Sequence, residues 1–251
     1  MRRACAAACA VGLLLAAPYP TGATDPPTLE TPHGPAWLSL PGGEGPFPVV
    51  LILADRTGPD GREAPYADYL LAAGIAVIQL GSDAPEEALP LLSMPGLLTL
   101  VRHLAPVKLD ISRIGLLGFG AGGRAVLAVS EGPAAALYPA CRGLLPARRA
   151  APTLLLHPDD PGEAVACLQV DPRAQAVALA THGWDHAQGL SAGATAMLPH
   201  PDGTRARVFA RSNGGATQDS VALVVRHFRD AFGPMDREGS PPRIPHSDPY
   251  P

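Results

Sequence analysis

Arg113–Ala125 reads RIGLLGFGAGGRA, and the fold turns on how this stretch is read. Arg113–Phe119 is a short apolar run of the kind that forms a buried strand, and Ala121–Ser130 reads as a helix packed tightly against it. Between them lies the glycine-rich turn Gly118-Phe119-Gly120-Ala121-Gly122-Gly123, which has two readings. It matches G-x-G-x-x-G, where backbone amides at a helix N-terminus hold a pyrophosphate. Two features weigh against dinucleotide binding. At least two strands precede the turn, and the acidic residue expected about 20 residues later for the ribose is missing. In its place the chain reads Tyr138-Pro139-Ala140-Cys141. The other reading is a nucleophile elbow, G-x-S-x-G, whose sharp turn exposes its middle residue. Gly118, Gly120 and Gly122 fit that frame, with Gly120 in the nucleophile position. A glycine there relieves backbone strain and removes the reactive atom.

Outward from the turn, apolar strands alternate with helices. Phe47–Ala54 (FPVVLILA) is a continuous run rich in branched residues, and Ile75–Leu80 is a second. A weak strand, Ala36–Leu40, precedes both. Ala134–Tyr138, Thr153–His157 and Gln175–Ala180 follow. The spacing predicts helices at Tyr66–Ala73, Pro95–Leu104 and Thr217–Phe232. Gly74 stands where the first of these would stop in the left-handed conformation, and Pro95 suits a first helical turn. In the last helix Val221, Val224, Val225, Phe228 and Phe232 share one face. This alternation predicts one α/β domain over 24–232, a mainly parallel sheet with helices on both faces and right-handed crossovers.

Composition narrows the function. The 251 residues carry 19 Lys+Arg against 23 Asp+Glu, a formal net charge of −4, without the basic face of a nucleic-acid binder. At 47% hydrophobic and 17% charged the chain is globular rather than disordered. Arg2 and Arg3 precede the apolar run Ala4–Ala17, which is shorter than the roughly 20 residues that span a bilayer. This is the pattern of a secretory signal peptide over 1–23, cleaved after Ala23; an uncleaved anchor is the bland alternative. An exported, periplasmic or secreted protein follows, with no stable membrane insertion after cleavage. The tail 233–251 is polar, rich in proline, and reads as disordered.

Export leaves two cysteines, Cys141 and Cys167, which an oxidising compartment would bridge. Such a bridge contributes about 3–4 kcal/mol by chain entropy; two buried thiols are the other reading. No Cys/His spacing suits a structural zinc. His182, Asp185 and His186 could place metal ligands near one another, but no third strong ligand stands at a telling spacing, so no metal is expected. His157, at a strand end, and His103 and His227, on amphipathic helices, read as structural. Arg148-Arg149 reads as a solvated loop, and Ser130 and Ser191 lie too far along the chain to replace a nucleophile at 120.

Elbow folds run nucleophile, acid, histidine in chain order. Asp159 and Asp160 follow the strand Thr153–His157, and Thr181-His182-Gly183-Trp184-Asp185 follows Gln175–Ala180. Over Phe47–Phe232 the chain resembles the dienelactone hydrolase family of α/β-hydrolases. The resemblance rests on LILADRTGPDGREAPYADYLLAAGIAVI, RIGLLGFGAGGRA, ALYPAC, PTLLLHPDD and ATHGWD. It implies an α/β-hydrolase fold with no cofactor, acting on a small-molecule carboxylic ester or lactone, or holding a carboxylic acid as ligand. It also implies Asp159 as acid, with Asp160 the alternative, His182 as base, and the backbone amides of Arg56 and Ala121 as oxyanion hole. Asp55 falls where the family often has a carboxylate beside its nucleophile. The family has Cys or Ser where Gly120 stands here, and Ala54 replaces a common His. The expectation is therefore an inactive or altered hydrolase, or a non-catalytic small-ligand binder on the same fold. A side chain restored at position 120 should project into the cleft beside the Ala121 amide, within reach of His182.

Overall fold

The computed structural model describes residues 28–31, 34–85, 87–104, 108–129, 132–145, 151–186 and 193–234. The expected signal peptide, the tail beyond Pro234, Ser130, Ser191 and the Arg148-Arg149 pair lie outside the described residues. In chain order the elements are β1 (Thr28–Thr31), β2 (Gly34–Ser39), β3 (Phe47–Leu53), α1 (Ala64–Ala72), β4 (Ala76–Leu80), α2 (Leu89–Leu92), α3 (Met94–Leu104) and β5 (Leu109–Phe119). They continue with α4 (Ala121–Ala128), β6 (Ala134–Leu137), β7 (Thr153–Pro158), α5 (Pro161–Val170), β8 (Gln175–Val177), β9 (Thr195–Pro199), β10 (Arg207–Arg211) and α6 (Gly214–Phe232). Eight strands form one sheet in the order β1-β2-β4-β3-β5-β6-β7-β8, parallel from β4 to β8, while β9 and β10 form a separate antiparallel hairpin.

Both faces of the sheet are covered, which explains the unbroken apolar run of β3. Val49, Leu51 and Leu53 pack on one side with residues of α3, α4 and α5. Val50 and Ile52 pack on the other with α1 and α6, through Tyr66, Leu70, Val224 and Phe228. A strand buried on both sides needs apolar residues throughout rather than alternation. Gly74 ends α1 with φ +81°, as the left-handed stop requires.

Several boundaries differ from the sequence expectation, among them the start of α6 at Gly214 rather than Thr217. β8 stops at Val177 rather than Ala180, because Leu179 takes φ +57° and the Ala180 amide turns back to the Val177 carbonyl at 3.2 Å. β5 begins at Leu109, four residues before the apolar run; Leu109 is buried, but Asp110, Ile111 and Ser112 after it are half-exposed or exposed. The helix α5, the short α2, the edge strand β1 and the β9–β10 hairpin are additions to that reading. A hollow of about 1840 Å3 opens at the N-terminal ends of the strands between Phe47, Gly74 and α6. The glycine turn lies at the opposite, C-terminal edge, where ligands of open α/β sheets bind.

Candidate active site

The elbow backbone is present in full. Gly120 sits between β5 and α4 at φ +50°, ψ −112°, a conformation costly for any residue with a Cβ. Its amide donates to the Leu137 carbonyl at 2.9 Å and its carbonyl accepts from Arg124. The flanking glycines are steric requirements. A Cβ on Gly118 would overlap the Gly122 carbonyl, and one on Gly122 would lie 2.5 Å from the Leu53 and Ala54 oxygens. The turn is therefore fixed by close packing of β5, α4 and the end of β3, independently of any reactive atom.

What stands over Gly120 is the Asp55 carboxylate. A Cβ built on Gly120 would fall inside that carboxylate group, so the expected open space beside the Ala121 amide is filled, a correction to the sequence expectation for position 120. Asp55 Oδ1 accepts from both amides assigned to the oxyanion hole, Arg56 N at 2.8 Å and Ala121 N at 2.9 Å. Oδ2 lies 3.3 Å from Arg62 Nη1 and 3.6 Å from His182 Nε2. The carboxylate is fully buried and His182 is 6% exposed. Burial by itself would raise the Asp55 pKa, but the facing His182 ring, the Arg62 guanidinium and the Ala121 amide outweigh it and hold the carboxyl below its usual value.

Arg62, completely buried, ties this anion to a polar chain beneath the site. Its Nη2 and Nε bond Asp60 at 2.6 and 2.8 Å, and its Nη1 donates to the Tyr138 hydroxyl at 3.3 Å. The Tyr138 and Tyr66 hydroxyls donate to the two oxygens of Asp185 at 2.5 and 2.9 Å. Burial raises the pKa of Asp185 and of both phenols. Glu63, 3% exposed, is pushed up to about 7 by burial. Among the described residues Glu63 Oε1, His182 Nε2 and His186 Nε2 have no hydrogen-bond partner.

His182 is placed by a parallel bridge to Ala210 of β10 and by edge-on packing on the Tyr138 ring, 4.8 Å between centroids. The turn of the β9–β10 hairpin covers the hole side. A Cβ on Gly203 would come 2.8 Å from Arg56 Nη2. Asp159 is exposed, with Oδ2 accepting the Leu179 amide at 3.3 Å, and Asp160 caps α5 through the Glu163 amide. Among the described residues, the carboxylate facing His182 is thus Asp55. Asp185 gives both oxygens to tyrosines, and His186 Nδ1 bonds the Gly183 carbonyl at 2.8 Å. His157 Nδ1 bonds the Pro158 carbonyl and His103 Nδ1 the Thr99 carbonyl, while the His227 ring packs on Phe228.

Cys141 and Cys167 form a disulfide, with 4.9 Å between their Cα atoms. It ties the loop after β6, which carries Tyr138, to α5. Glu163 Oε1 accepts the Cys141 amide at 2.6 Å. The metal-like grouping Cys141, Glu163 and Cys167 is therefore committed to the bridge. No helix among the described residues is long and apolar enough to cross a membrane.

Sequence reasoning missed Arg62, Tyr66 and the role of Asp185. Asp55 and Asp60 share the loop of Arg62, but nothing in that loop shows that the arginine is buried against Tyr138, 76 residues away.

No family model and no curated protein matches the chain, but solved structures do. It is similar to P91 from metagenomic libraries, described as a dienelactone hydrolase-like promiscuous phosphotriesterase, at TM-score 0.56 and 18% identity over 79% of this chain and 93% of that one. A dienelactone hydrolase from Anabaena variabilis matches at TM-score 0.53 and 17% identity, over 84% and 100%. Esterase 2 of Thermogutta terrifontis, captured phosphoramylated by tabun, matches at TM-score 0.53 and 14% identity, over 80% and 91%. The chain has the α/β-hydrolase fold, which it shares with these structures.

Proposed function

We propose that the chain is an exported protein of dienelactone hydrolase descent in which ester and lactone hydrolysis through an acyl-enzyme is silenced. One observation carries the reading: both hole amides, Arg56 N and Ala121 N, are bonded to the chain's own Asp55 Oδ1. An ester carbonyl entering the site would find no free donors for its developing oxyanion, the stabilisation that acyl transfer depends on. It would also find no nucleophile, since Gly120 carries none. The Cys141–Cys167 bridge and the Arg2-Arg3 and Ala4–Ala17 leader support export. The anionic Asp55 over the turn opposes a pyrophosphate there, which disfavours the dinucleotide reading.

The test is p-nitrophenyl acetate with stopped-flow and intact-mass detection. We expect no burst and no acetylated protein. A stoichiometric burst with an acyl adduct on any residue would overturn the proposal.

A further inference from the structure

The edge of the sheet that carries Gly120 is filled, whereas the hollow at the opposite edge is open. At about 1840 Å3 it exceeds the roughly 300–1,000 Å3 of small-molecule pockets. Its lining gives it the form of a groove. One wall follows α1 from Pro65 to Gly74, and the other follows one face of α6, at three- and four-residue intervals from Gly214 to Gly233. The groove therefore runs the 19-residue length of α6, about 28 Å.

Apolar surface and charge share these walls. Phe47, Tyr69 and Val225 line the groove, and Tyr69 is 62% exposed. Arg113 is committed to Asp110, but Arg226 and Arg229 are exposed and form no ion pair with another described residue. The chain leaves α6 at one end of the groove: Gly233 turns it at φ +73°, and Gly233 and Pro234 belong to the lining. The sequence continues Met235-Asp236-Arg237-Glu238-Gly239-Ser240-Pro241-Pro242-Arg243.

We propose that the groove is the docking site of the chain's own segment 235–243, laid back along α6 as an extended polyproline-type strap. Nine residues in that form span about 28 Å, at 3.1 Å each, which equals the length of the groove. The register matches charge to charge. Running back from Pro234, Asp236 comes level with Arg229, both about 6 Å along, and Glu238 with Arg226, at about 11–12 Å. Pro241 and Pro242 fall about 22–25 Å along, level with Gln218 and Thr217. Proline-rich segments dock in grooves lined by aromatic rings because their extended form costs little entropy to fix, and Tyr69 offers such a ring. The tether starts at the groove, so the segment is held there at an effective concentration of about millimolar. A second copy or a separate partner would have to compete with that.

The experiment uses the full-length protein with p-benzoylphenylalanine in place of Tyr69. Irradiation should join position 69 to the tryptic peptide 238–243 of the same chain, in a product of monomer mass. Arg226→Glu with Arg229→Glu should lower the yield about fivefold, the worth of two exposed ion pairs. Adding Asp236→Arg and Glu238→Arg should restore it, which a merely structural effect of the first pair would not allow. Cross-links between two chains, no cross-link to this segment, or a yield indifferent to both charge reversals overturns the proposal.

Discussion

Two loops meet above the C-terminal edge of the sheet, and they differ in what holds them. The β5–α4 turn is fixed by contacts of backbone against backbone: Gly118 against Gly122, and Gly122 against Leu53 and Ala54. Its elbow geometry follows from packing and survives with glycine at the reactive position. The loop after β3, from Asp55 to Glu63, is held by charge. Arg62 donates to both Asp55 and Asp60 and reaches the Tyr138 hydroxyl. The backbone of one loop can thus keep its turn while side chains of the other fill the space above it. Shape there is a consequence of the core; reactivity depends on individual side chains.

The contrast can be broken by returning the reactive atom. Gly120→Ser alone should remain at background toward p-nitrophenyl acetate, because its Cβ overlaps Asp55 and the hole stays filled. Gly120→Ser combined with Asp55→Ala should gain about 10²–10⁴-fold over wild type, lost again on adding His182→Ala. Equal activity in the single and double variants would show that Asp55 is no obstacle.

The charged loop is next. Arg62→Met leaves Asp55 and Asp60 without their cation, and removing one partner of a buried pair costs about 3–5 kcal/mol. Urea denaturation measures it; a loss below about 1 kcal/mol would mean that the loop is held otherwise. Replacing Cys141 and Cys167 by alanine should cost about 3–4 kcal/mol through chain entropy, read in the same way. Mass analysis of protein from an oxidising compartment should find no free thiol.

A smaller effect separates Glu63 from the rest of the loop. Its carboxyl titrates near 7 in the folded protein and near 4.5 when unfolded. Between those values the unfolded chain binds fewer protons, so this group's contribution is full below 4.5 and is lost as the pH rises through 7. Glu63→Gln should therefore be more stable than wild type at pH 8 by roughly 2–3 kcal/mol relative to the difference at pH 4.5. A difference that does not vary with pH would place Glu63 in water.

Much of the fold was legible because β3 and β6 are apolar throughout, β4 and β7 carry apolar runs at their centres, and α6 carries its valines and phenylalanines on one face. The glycine spacing gave the elbow, and chain order placed His182 nearby. The helix α5 escaped notice because Val165 is 61% exposed and Leu168 46%, which blurs its apolar face. The β9–β10 hairpin was hidden similarly, since Met197 and Phe209 pair across it facing solvent. The occupation of the hole by Asp55 is a tertiary fact: it joins the end of β3 to the turn after β5, 66 residues away. Family resemblance placed a carboxylate beside position 120, but no sequence pattern says that glycine there lets the carboxylate take the position itself.

The central claim is that Asp55 is an anion held by the hole amides, and carbon-13 NMR of its labelled carboxyl group tests it directly. Burial alone would raise the pKa; with His182, Arg62 and the Ala121 amide around it, the midpoint should lie below the ordinary aspartate value of 3.8. Replacing Arg62 should move it upward. A wild-type midpoint at or above 3.8, unchanged by the loss of Arg62, would contradict the account.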